Sequence, residues 1–529
     1  MFQTAPPPHA SMAWLDYLMV FGYLLITAGI VWYTSRHQKD ADDFFLGGRR
    51  LPWFAVGLSI MATLLSTISY LGIPGEMIKH GVAILWMYLA FPLAMFIVIP
   101  FFIPFFMRLK MTSAYEYLEH RFDYRVRLMA SVMFFCLRLG WIAMVMFAGS
   151  TAIASMAEID LFTVITVMGI AATIYTCLGG LTAVVWTDVL QAVMLLGGAA
   201  VIVVYVWATT GAGPSDWWQV VSNSEGFKAH TSPPLFSLNP SVRMSIGWVV
   251  INGFFWQICT HASDQVVLQR YFSTTSLASA RNSYIVNMLS ALSVGILLGF
   301  AGFALLFFYL QHPTYLANDL KPTDNGDKIM PYFYAHQLPI GCGGLVLANF
   351  LCDAMQTLVS GVNSITAVAS NDLVQRIDGK PRTEREQLKL ARILTLVLGT
   401  LATLFAVLIA VLSRNSGQNI VDLMPRAFNM FLGPLASLFL IGMFVPRARG
   451  TTALVSASAA LFLSINWSYY RQLYAFQAAN FDLSPQWAIA VPCVAGVLMG
   501  VVYSRVFDGP ADHPGADFSW WRVMKREAR

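Results

Sequence analysis

The chain has 529 residues, of which 57% are hydrophobic and only 12% charged, with a net charge of +5. Soluble domains carry about a quarter charged residues, so this composition excludes an ordinary cytosolic enzyme, and the few basic residues need no nucleic-acid partner. What it permits is a protein dissolved in lipid.

Apolar runs of about 20 residues, the length that crosses a bilayer, recur from end to end at about thirteen places. In order they fall at 13–34, 52–77, 82–107, 126–156, 161–177, 183–209, 243–261, 283–310, 341–369, 390–413, 418–444, 450–470 and 486–506. Each is expected as a helix, because an open chain in hydrocarbon satisfies its backbone no other way. The predicted fold class is an all-α polytopic membrane protein. A segment 1–12 would precede the leading span 13–34, and residues 450–506 would add two further spans before a tail at 507–529. Arg36, Lys39, Arg49 and Arg50 follow the first run, and Arg108, Lys110, Arg121, Arg125 and Arg127 follow the third. Arg376, Lys380, Arg382, Arg385 and Lys389 follow the ninth, and Arg447 and Arg449 the eleventh. The alternate loops 210–242 and 311–339 are poorer in Lys and Arg, so the positive-inside rule places the N-terminus outside and the C-terminus in the cytoplasm. The expected location is the cell (inner) membrane. Met1–Met12 has no basic leader, and the first run is long enough to remain as an anchor. Cys136, Cys177, Cys259, Cys342, Cys352 and Cys493 lie in or beside apolar runs without metal-ligand spacing, and are expected as small apolar fillers.

Polar residues inside these runs carry the functional signal. In the second run Ser59, Thr63, Ser66, Thr67 and Tyr70 share one helical face, and Gly72-Ile-Pro-Gly75 is expected to interrupt the helix. A break that lines a cavity frees carbonyls for a cation; the other reading is a kinked helix whose hydroxyls bond back to their own backbone. Asp188 follows Gly179-Gly180 at the mouth of a long apolar run. A charge at the centre of a membrane helix costs roughly 2.5–3.5 kcal/mol, so a retained one faces a partner, an ion or water. The seventh run ends in Gln257-Ile-Cys-Thr260-His261-Ala-Ser263-Asp264-Gln265, a second polar interruption. Two such broken helices in corresponding halves point to an inverted-repeat transporter. In the ninth run Asp353, Gln356, Thr357, Ser360, Asn363 and Ser364 form one continuous stripe. Its alternatives are interhelical glue and an oxygen-rich face for a hard cation such as Na⁺. His261 is a candidate for binding solute or a proton, or for a structural role. Arg138 is expected to have a structural partner, and Asp422 and Arg426 stand at i, i+4, where they can pair with each other.

With these residues the chain resembles the sodium:solute symporter family over about 45–450. Asp43-Phe-Phe-Leu-Gly-Gly-Arg-Arg-Leu-Pro, Gly179–Gln191, Asp264-Gln265…Gln269-Arg270 and Asn363-Ser364…Asn371-Asp372 carry the resemblance by their order and spacing. The resemblance implies a five-plus-five inverted repeat (LeuT-like), about 52–209 and 243–444, with alternating access. It also implies a sodium site made of the backbone oxygens of Ala62, Leu65 and Asp353 and the side chains of Gln356 and Thr357, with Asp188 on the ion's inner exit path. By the resemblance Na⁺ would be the coupling ion; no other cofactor is expected. The chain departs from the family where Gln356 replaces a serine and Asp353 a small residue, which leaves sodium and proton coupling both open. Solute is expected near Ser66, Thr67, Ser69, Tyr70, Gln257 and His261, with Arg426 as an anchor for a carboxylate. Tyr70-Leu-Gly-Ile-Pro-Gly-Glu-Met-Ile-Lys-His-Gly resembles the monocarboxylate, vitamin and iodide branch, so the function expected is sodium-coupled symport of a small organic anion, with sugar symport as the alternative. An intramembrane enzyme or sensor is the remote alternative, and no nucleophile elbow, zinc helix or phosphate loop supports it.

Overall fold

The computed structural model describes residues 13–36, 40–109, 111–237, 244–318, 320–374, 383–413, 428–474, 484 and 487–525; Asp422 and Arg426 lie outside them. In chain order the principal helices are α1 (Trp14–Ser35), α2 (Trp53–Leu64), α3 (Thr67–His80) and α4 (Val82–Leu109), then α5 (Tyr124–Ala157) and α6 (Leu161–Thr210). They continue as α7 (Ile246–Ser263), α8 (Gln265–Phe272), α9 (Leu277–Gln311), α10 (Gly326–His336) and α11 (Cys342–Val368). Last come α12 (Glu384–Ser413), α13 (Met430–Phe444), α14 (Gly450–Ser468) and α15 (Ala490–Phe507). No strand occurs among the described residues, which hold only an isolated bridge between Leu51 and Thr274. Eight of the described helices are long and apolar enough to cross a bilayer, and the bent pair α2–α3 makes a ninth.

Runs 161–177 and 183–209 join into α6, whose 50 residues far exceed one span. Gly180, at φ 55° and ψ −171°, puts the kink between them, a conformation that glycine adopts without a Cβ clash. The helix break expected at Gly72–Gly75 lies elsewhere. Those residues, Pro74 included, sit within α3, and the chain breaks at Leu65–Ser66 with a 60° bend. Proline is accommodated inside α3, whereas Leu65 (ψ 88°) and Ser66 (ψ 176°) leave the helical region. The seventh run breaks near the end of its polar burst: Asp264 is extended, at ψ 114°, between α7 and α8.

α11 is the axis of the molecule. Of its apolar window 83% is buried, against 17% for α1, and it packs between α5 and α6, with α1 and α12 beside it. α9 lies across α2 and α3, and α13–α15 form a separate cluster that touches α5 and α7. α6 and α12 approach through reciprocal glycine–threonine contacts: a Cβ on Gly169 would stand 2.3 Å from Thr403, and one on Gly399 2.5 Å from Thr173. Small residues of this kind let helices pack closely where lipid offers no hydrophobic drive. Leu404, Leu408 and Leu412 on the outer side of α12 are exposed, as a lipid-facing surface requires. The aromatic tail docks on the end of α4 through Trp520 Nε1, which donates to the Phe101 carbonyl at 3.0 Å.

Candidate ion and solute site

The break in the second run begins at the end of α2. The helical ladder stops with Leu65 N–H donating to the Met61 carbonyl at 2.8 Å, and α3 starts with Ser69 and Tyr70 N–H donating to the Ser66 carbonyl at 2.7 and 3.0 Å. The last carbonyls of a helix have no intrahelical donor, and here they belong to Ala62–Leu65, which are buried in the protein interior. The hydroxyls of Ser66 and Thr67 are buried there without a hydrogen-bond partner.

The stripe on α11 is buried throughout, and it divides into two halves. In the second half Ser360 Oγ accepts from Arg270 Nη2 at 2.9 Å, Asn363 Oδ1 accepts from Gln269 Nε2 at 2.9 Å, and Ser364 Oγ donates to Gln269 Oε1 at 2.7 Å. That half is glue to α8. In the first half Gln356 Nε2 reaches Thr63 Oγ1 at 3.3 Å, but Gln356 Oε1, Thr357 Oγ1 and both oxygens of Asp353 have no partner. Every free atom of these three side chains is therefore an oxygen, the ligand type that hard cations take. Among the described residues no three His, Cys, Asp or Glu side chains assemble into a transition-metal site.

One layer further along, Asp188 of α6 meets Arg270 of α8, both fully buried. Arg270 Nε donates to Ser59 Oγ at 2.7 Å and Nη1 to the Val266 carbonyl at 3.0 Å. Its Nη2 is shared by Thr63 at 2.7 Å, Ser360 at 2.9 Å and Asp188 Oδ2 at 3.1 Å. Ser59 also donates to Asp188. One guanidinium fork thus joins α2, α6, α8 and α11 directly beneath the free oxygens, geometry that arginine's fixed donors suit and a lysine's would not. Arg270 stood only as a letter in a motif at the level of sequence. The signal that could have found it is charge balance, since two buried charges in apolar helices require each other.

A cavity opens on the other side of the break, with an empty volume of about 740 Å³ including its mouth. Leu65 and Ser69 line it from the broken helix, with Trp141, Asn252, Trp256 and Asn287 opposite. Trp141 Nε1, Asn252 Oδ1 and both amide atoms of Asn287 are buried and unpartnered. A recess that shares Leu64, Trp141, Trp256 and Asn429 with this cavity ends on Arg138 and Asp264. Those two form an ion pair, and Arg138 Nε is left without an acceptor. Of the other candidate residues, Tyr70 turns away to Tyr334, 3.2 Å between hydroxyls. His261 is locked between Tyr271 (2.7 Å to Nδ1) and Gln257 (3.1 Å to Nε2), outside the cavity lining.

The sodium:solute symporter family model matches residues 44–459. The sodium/sialic acid symporter SiaT of Proteus mirabilis is 32% identical over 87% of this chain and 91% of its own length. The human sodium/iodide cotransporter is 29% identical over 96% of this chain and 76% of its own. Among solved structures, a substrate-bound, outward-open Na⁺-coupled sialic acid symporter superposes with a TM-score of 0.82 at 29% identity, covering 94% of this chain and 98% of that one. A nucleobase-cation-symport-1 family transporter, 14% identical with a TM-score of 0.53, shares the fold.

Proposed function

This chain belongs to the sodium:solute symporter family and is a sodium-coupled solute symporter; on that premise we propose that its solute is a small organic anion. The observation that carries this reading is the buried Arg138, whose Nε has no acceptor and whose recess adjoins the central cavity. A carboxylate entering the recess would gain a charge-assisted hydrogen bond and would compete with Asp264 for the guanidinium. Sialic acid, iodide and monocarboxylates, for which relatives of this chain are named, are anions. The free Oδ1 of Asn252 and the free amide of Asn287 favour a solute that also bears hydroxyl or amide groups.

The coupling ion would sit at the break, held by backbone oxygens of Ala62 and Leu65 and by Gln356 and Thr357. A cation there ties the broken helix to α11, so its binding stabilises the arrangement in which the cavity is complete. Alternating access then follows from rocking one helix bundle against the other, with each repeat, 52–209 and 243–444, opening with a broken helix. In the cell membrane, with the N-terminus outside, one positive charge entering at 100 mV inside-negative contributes about 2.3 kcal/mol.

Uptake into proteoliposomes tests the reading. Carboxylates, sugars and amino acids would be offered under an inward Na⁺ gradient and under a matched K⁺ gradient. Hydroxylated or acylated carboxylates are expected to accumulate with Na⁺ alone, and sodium activation is expected to weaken about tenfold in Thr357→Ala. Sodium-driven uptake confined to neutral sugars would overturn the anion, and unchanged sodium affinity in Thr357→Ala would overturn the ion site.

A further inference from the structure

The unpartnered oxygens on α11 extend further than one ion can use. Asn349 and Asp353 are each 1% exposed, and both amide atoms of the one and both carboxylate oxygens of the other lack partners. With Gln356 and Thr357 they occupy one face over nine residues, about 12 Å of helix from first to last at 1.5 Å per step. Oxygen ligands stand about 2.3–2.6 Å from Ca²⁺, an ion close to Na⁺ in size, so a row of that length is too long for a single cation.

The surroundings divide the row. Gln356 reaches Thr63 near the end of α2. Asn349 and Asp353 face α3 and α6 instead. The Thr67 hydroxyl and Tyr70 stand beside the Asp353 carboxylate, and Thr67 is held there by Gly149, where a Cβ would lie 3.5 Å from its hydroxyl and 2.7 Å from Ala354. On the far wall Gly198 leaves room: a Cβ there would lie 2.3 Å from the Tyr70 hydroxyl and 3.9 Å from Asn349 Nδ2. Arg270, the guanidinium of the ion-pair layer, is committed to Asp188. An ionised carboxylate buried without a cation is among the costliest arrangements in a protein.

Resting on the sodium-coupled reading above, we propose a second cation site, about one helical turn from the first, formed by the Asp353 carboxylate, Asn349 Oδ1 and the Thr67 hydroxyl. Its ligand is a hard monovalent cation, Na⁺ under working conditions. The site carries a formal negative charge, which the first, built from neutral oxygens, lacks. Two sodium ions then bind per solute, and the one at Asp353 is held by an anion rather than by dipoles alone.

Equilibrium binding of ²²Na⁺ to the purified full chain in nanodiscs, without solute, tests this. Two ions per chain are expected, falling to one in Asp353→Ala and in the isosteric Asp353→Asn, and to one in Thr357→Ala, with monodispersity confirming the fold of each. A wild-type count of one, abolished by Thr357→Ala and kept by both Asp353 variants, overturns the second site and leaves the coupling ion in place. Two ions in both Asp353 variants also overturn it. No ²²Na⁺ binding at all overturns both readings.

Discussion

Removing the Arg270 side chain is expected to be the most damaging single truncation in the polar core. In the native arrangement its fork makes five contacts to Ser59, Thr63, Val266, Ser360 and Asp188. Arg270→Ala would leave Asp188 buried with only the Ser59 donor and with Oδ1 already unpartnered. Breaking a buried pair by deleting one partner costs about 3–5 kcal/mol, because the surviving charge is stranded. Summing the individual charge-assisted bonds would give more, but bonds sharing one group are not additive. The test is a double-mutant cycle of Arg270→Ala, Asp188→Ala and the double variant, read as unfolding free energy in SDS or as thermal stability in a fixed detergent. The double variant is expected to recover at least about 2 kcal/mol relative to the sum of the singles, since it strands no charge. A single-variant cost below about 1 kcal/mol, the value of an exposed ion pair, or strict additivity in the cycle, would refute the argument that one fork holds four helices together.

Other consequences follow from the same geometry. Arg138→Gln is expected to raise the KM for an anionic solute about 10- to 100-fold, as loss of a buried charge-assisted bond implies, with little effect on Na⁺ binding measured without solute. Gly149→Ala would place a methyl group 2.7 Å from Ala354 Cβ, forcing α5 and α11 apart at a cost of about 1–3 kcal/mol; a lowered unfolding midpoint together with weakened ²²Na⁺ binding would register it. In the loop outside the spans, burial pushes the His230 imidazole below its ordinary value of 6.5, against the opposing bond from its ring to the Ile78 carbonyl. A histidine lowered in the docked state contributes its full stability above that ordinary value and loses it as pH falls through it toward the depressed one. Limited proteolysis of the 224–237 loop should therefore quicken between pH 7.5 and 5.5, and this pH dependence should vanish in His230→Gln.

Much of the architecture was legible because lipid permits so few solutions. Apolar runs of sufficient length had to become helices, and the expected runs lie on α1–α15, apart from residues outside the described set. The stripe Asp353–Ser364 was legible for the same reason, since polar atoms at helical spacing cannot face hydrocarbon. The site of the first break was not. Gly72-Ile-Pro-Gly75 is the strongest local breaker in the second run, yet it stays within α3, and the chain opens at Leu65-Ser66, where no glycine or proline stands. Local propensity is a weak prior against tertiary packing, and here α9 and α10 pack along α3 and hold it helical through the proline.

Sequence alone therefore determined the class, the helical character of the apolar runs, the family resemblance and which residue types lie in the interior, because each follows from the cost of exposing backbone or charge to lipid. Only the tertiary structure decided partners. It joined Asp188 to Arg270, which stand 82 positions apart, and Arg138 to Asp264. It divided one polar stripe into a bonded half and a free half, and turned Tyr70 and His261 away from the cavity while bringing Asn252 and Asn287 into it. Periodicity specifies the face of a helix on which a side chain lies. What that face meets depends on how distant helices pack, and no local spacing encodes it.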